Sequence, residues 1–81
     1  MNLKINCFSD RVVQHLCVLL RTQRAAAADG NQEMVNIYGA KIDGFLDALS
    51  ITLAGPYLAA LVDQANRKAD EADEADEAKE A

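Results

Sequence analysis

Large apolar side chains follow three different rhythms along this chain. Residues 1–8 alternate loosely, with Leu3, Ile5 and Cys7 on one parity and Lys4 and Asn6 on the other, which fits a short strand or an extended arm. Ser9 is placed to cap a helix. Phe8 and Val13 flank it as a hydrophobic staple, and Asp10 suits the positive end of the helix dipole. The first helix is therefore expected from about Asp10 to Ala28. Arg21 and Arg24 complement its C-terminal end, Ala25 to Ala28 have high helix propensity, and Gly30 can take the left-handed conformation that stops a helix.

Asn31 can cap a second helix at once, which makes the two helices antiparallel neighbours in a hairpin. The spacing predicts helix from about Gln32 to Leu53, ended by Gly55-Pro56. A third, shorter helix can begin at Pro56, with Leu58, Leu61, Val62, Ala65 and Ala69 at helical spacing. The fold class is all-α: an antiparallel helical hairpin plus a shorter third helix, assembling as a helical bundle.

Two stretches are apolar on more than one side. Leu16, Cys17, Val18, Leu19 and Leu20 are consecutive, so they point all round the first helix. On the second helix, Met34, Val35, Tyr38, Ile42, Phe45, Leu46, Leu49 and Leu53 fill an arc of about 120° that faces the first. Ile37, Ala40, Gly44, Ala48 and Ile51 form another arc, while Asn36, Asp43, Asp47 and Ser50 meet water. A hairpin cannot cover both surplus faces. Self-association, most simply as a two-fold dimer through Leu16, Val18, Leu19, Ile37, Ala40, Gly44, Ala48 and Ile51, is the expected remedy.

Composition sharpens this division. Of the 81 residues 51% are hydrophobic, too many for a disordered chain, yet no apolar side chain larger than alanine follows Val62. Residues 1–62 carry five basic and five acidic side chains, whereas residues 63–81 carry three and eight. A neutral body with an acidic tail lacks the basic face that nucleic-acid binding needs. The tail repeats Asp-Glu-Ala from Asp70 to Ala78 and is expected to continue the third helix and fray, because it has no large side chain to bury. Its Asp70, Glu71, Asp73, Glu74, Asp76 and Glu77 offer charge to a basic protein partner, or simply keep the body soluble.

The N-terminus lacks a long apolar run and a cleavage site, and Cys7 and Cys17 read as reduced, so a cytoplasmic setting is expected. The uncharged run of residues 48–62 is shorter than a membrane span and is broken at Gly55-Pro56, which makes a membrane-associated role a lesser alternative.

Candidate chemistry is sparse. His15 and Cys17 point about 200° apart on one helix, so they form no nucleophile pair. With Cys7 they supply three zinc ligands without the usual spacing or a fourth partner. Asp43 and Asp47 lie on the solvent arc, and no phosphate-binding loop, nucleophile elbow or HExxH pattern occurs. The expectation is a protein without enzymatic activity, cofactor or metal. Arg11, Arg21, Arg24 and Lys41 define one further alternative, a small anion or nucleotide site between protomers. The stretch Tyr38-Gly39-Ala40-Lys41-Ile42-Asp43-Gly44-Phe45-Leu46-Asp47-Ala48-Leu49 resembles the second helix of small helical-hairpin proteins of phages and mobile elements. That resemblance bears only on a phage or mobile-element origin. The surplus apolar faces and the absence of catalytic patterns lead to the expected function, a protein–protein interaction module (accessory, adaptor or inhibitor) acting through helix-face packing with an acidic C-terminal tail.

Overall fold

A computed structural model describes residues 8–80 as three helices, α1 (Phe8–Ala28), α2 (Gln32–Ser50) and α3 (Gly55–Glu80). The alternation in residues 1–7 lies outside the described residues. Helix α1 starts at Phe8, so Ser9 lies inside its first turn instead of capping it.

The α1–α2 turn follows from two residues, Gly30 and Asn31. Gly30 adopts φ +73°, which costs a residue without Cβ nothing. Its N–H donates to the Ala27 carbonyl at 3.0 Å and the Asn31 N–H to the Ala26 carbonyl at 2.9 Å, satisfying carbonyls that α1 leaves open. Asn31 then turns its side chain to accept the Met34 N–H at 3.2 Å, capping α2. The hairpin is antiparallel. His15, early in α1, meets Phe45 edge-on at 4.7 Å, while Gln23, late in α1, donates to the Val35 carbonyl at 3.2 Å.

Helix α2 stops at Ser50, three residues before Leu53. The Ser50 hydroxyl donates to the Asp47 carbonyl at 2.6 Å, and the Ile51 and Thr52 amides tighten onto Ala48 and Leu49 at 3.3 and 3.0 Å. Local hydroxyl bonds of this kind compete with the helix ladder. Helix α3 then opens at Gly55, with Pro56 in the first turn, where its missing N–H is no loss.

The third helix is not the shorter one. It is the longest, 26 residues against 21 and 19, and it runs through the Asp-Glu-Ala repeat without fraying. Leu61, Ala65 and Ala69 recur every four residues and are all buried, so alanine lets this helix lie close against α1. Leu61 and Ala65 join Val12, Val13 and Leu16 near the start of α1, and Asp70, Asp73 and Asp76 meet arginines nearer its end. Helix α3 thus runs in the same sense as α1.

Helix α1 lies between the other two, which scarcely touch each other. The molecule measures 36 × 33 × 19 Å, a slab less than two helix diameters thick. Burial is correspondingly uneven. Val12, Val13, Leu16, Leu19 and Ala26 of α1 are buried, as are three residues of α3, and α2 contributes none. Leu16 and Leu19, expected at a self-association surface, are inside the chain at 1% and 7% exposure. Helix α3, packed on α1 through Leu61, Ala65 and Ala69, supplies within the chain the cover that self-association was expected to provide. Val18 alone of the five girdle residues remains exposed.

Candidate functional site

Two features of the surface stand out, one polar and one apolar. The polar one joins the second half of α1 to the repeat of α3. Arg21 Nε lies 3.1 Å from Asp73 Oδ1, and its Nη2 also reaches Asp76. Arg24 Nη1 lies 3.0 Å from both Asp70 Oδ1 and Asp73 Oδ2, and its Nη2 donates to Asn66 Oδ1 at 3.4 Å. Asp73 therefore bridges two guanidiniums. The hydrogen bond from Arg24, followed by that from Arg21, holds its carboxyl below the usual carboxylate range. Both arginines are pushed above their ordinary value, chiefly by the hydrogen bond to Asp73.

Repeat geometry explains the arrangement. A period of three falls 60° short of a full helical turn, so the aspartates drift slowly across one face. They meet Arg21 and Arg24, which are also three apart. Glu71, Glu74 and Glu77 occupy the neighbouring face and stay exposed. Residue by residue, the repeat gives its aspartates to α1 and its glutamates to solvent. Sequence reasoning treated the arginines and the tail as separate features, although their shared spacing was already visible.

The four cations do not converge. Arg11 is exposed one turn into α1, about 15 Å along the axis from Arg21. Lys41 sits on α2 with its ammonium 4.9 Å from the centre of the Tyr38 ring. The depression beside this clasp of ion pairs between α1 and α3 is lined by Arg21 and Arg24 together with Asp73 and Asp76, so both arginines there already face carboxylates. Cys17 is a half-buried free thiol, and Cys7 is outside the described residues. Among the described residues no three potential metal ligands come together.

The apolar feature is the outer face of α2. Ile37 is 41% exposed and Ile51 80%, and Ala40, Gly44 and Ala48 between them are all exposed. A Cβ added at Gly44 would meet nothing within 4 Å, in contrast to Gly39, where it would lie 3.2 Å from the Gln23 amide. The opposite arc, with Ile42, Phe45, Leu46 and Leu49, packs against the core. Val18 lies apart from this strip, on α1 beside a groove that Gln64 and Lys68 of α3 also line. The structure thus brings five of the eight suggested interface residues onto one face and separates Leu16, Leu19 and Val18 from them.

The chain matches no family model, no curated protein and no solved structure. No helix among the described residues is long and apolar enough to cross a membrane.

Proposed function

We propose that this chain is a protein–protein interaction module without enzymatic activity, which binds through the outer face of α2. One observation carries the reading: α2 has no buried residue, yet it presents Ile37, and Ile51 directly after its last residue, on the side turned away from the core. An isoleucine left in water forgoes about 1.5–3 kcal/mol of burial, so a partner helix laid along the strip gains from both. Ala40, Gly44 and Ala48 between them allow the two backbones to come near.

The test is affinity capture from the native host with the wild-type chain and an Ile51→Glu variant as bait. The expected result is a partner retained by the first and lost by the second. A prey set identical for both baits, or none for either, removes the reading.

A second reading rests on Glu71, Glu74 and Glu77, whose exposed row suits a basic partner. Changing these three to glutamine leaves the clasp intact and should abolish any capture that weakens with salt. The anion-site alternative is less well supported, because Arg21 and Arg24 already carry carboxylates from their own chain.

A further inference from the structure

We infer that the occupant of the outer α2 face is a second copy of this chain, docked parallel to the first about a two-fold axis running along the strip. The inference rests on the proposed use of that face and adds the partner and its orientation. From Ile37 to Ile51 the centre of the strip is apolar, with the exposed Glu33 one turn before Ile37 on nearly the same line. Its two edges carry charge of opposite sign. The basic edge is Lys41, whose ammonium rests over the Tyr38 ring and must swing across to meet a partner. At 100° per residue, Lys41 projects about 60° to one side of the strip's centre line and Asp47 about 60° to the other, with Asp43 beyond it. All three are exposed.

Those edges choose the partner. The face asks for a helix with an apolar seam, one acidic edge and one basic edge, and α2 itself is such a helix. They also choose the direction. Two copies related by an axis along the helices set the Lys41 edge of each beside the Asp43 and Asp47 edge of the other. An antiparallel pair would instead bring Asp43 and Asp47 of both copies to one edge and both lysines to the other, and like charges across a seam repel. In the parallel pair Gly44 meets Gly44, where open space above the backbone permits close approach, and Ile51 meets Ile51. The one like-charge encounter, Glu33 with Glu33, falls in the solvent-exposed first turn at the end of the seam. Every contact is then made by the same patch on both copies, as a closed two-fold dimer requires.

The experiment measures association by analytical ultracentrifugation across the micromolar range. Wild type is expected to dimerise. Ile51→Glu, at a residue too exposed to matter for the fold, should raise the dimer Kd by more than about tenfold, with the helical signal and melting of the monomer unchanged. Lys41→Asp should weaken the dimer, and adding Asp47→Lys to it should restore it. With Cys7 and Cys17 replaced by serine, Ile51→Cys should form a disulfide dimer on mild oxidation. An antiparallel pair centred on Gly44 would hold those sites ~20 Å apart along the seam.

A wild-type chain that stays monomeric overturns the inference, as does a dimer indifferent to Ile51→Glu. A dimer that needs Ile51 but neither cross-links nor responds to the charge exchange overturns the parallel arrangement. A monomer that still captures another protein through Ile51 overturns self-docking and leaves the broader interaction reading standing.

Discussion

Leu16 shows how much of this small fold rests on single side chains. At 1% exposure it is the largest fully buried side chain, touching the cluster that ties α1 to α3. Leu16→Ala should cost about 2–5 kcal/mol in urea unfolding, a large part of what an 81-residue chain can muster. Gly30 acts by a different route. Nothing within 4 Å would clash with an added Cβ, so the penalty of Gly30→Ala is purely that of holding a non-glycine residue at φ +73°. A loss of ~1–2 kcal/mol in the same measurement is expected. Both the Gly30 stop and the Asn31 cap were legible in the sequence, because each depends only on neighbours within a few residues. Ser9 was misread for the complementary reason: a capping residue signals a nearby helix start but does not forbid an earlier one.

At the level of elements, α3 carries the lesson. Its repeat has no large side chain, and propensity alone would let it fray. The helix persists because Ala65 and Ala69 fit closely on α1 and the aspartates beyond them find Arg21 and Arg24. Ala65→Leu should therefore destabilise by about 1–3 kcal/mol through overpacking, although it adds apolar surface and raises helix hydrophobicity. The clasp adds a pH dependence with a definite sign. The Asp73 carboxyl is held below its unfolded value, so its contribution is complete above the ordinary carboxylate range near pH 4 and disappears as pH falls through the depressed value. Amide exchange in residues 70–77 should accordingly stay slow from neutral pH to about pH 5 and quicken below, after correction for the intrinsic rate. Asp73→Asn should show the faster exchange already at neutral pH. Protection unchanged between wild type and variant would mean that the alanine contacts alone hold the helix.

The whole molecule is a slab with α1 sheltered, α3 clasped to it, and one side of α2 left open. Its charge is equally one-sided. Removing residues 70–81 takes away seven carboxylates and one lysine, so the net charge passes from −5 to +1 and Arg21 and Arg24 lose their ion-pair partners. Such a truncated chain should be retained on heparin at low salt, whereas the full chain should pass through. Equal behaviour of the two would show that the acidic helix does not mask the arginines. The sequence by itself determined the three helices, the antiparallel hairpin and the division into an apolar body and an acidic end. Those are set by local periodicity, turn chemistry and composition, which act over a few residues at a time. Only the tertiary structure decided that Leu16 and Leu19 turn inward, that the repeat becomes the far half of the longest helix, and that its aspartates answer Arg21 and Arg24 across about fifty residues of chain. Such pairings depend on where α3 lands on α1, which many contacts settle jointly and no short stretch of residues encodes.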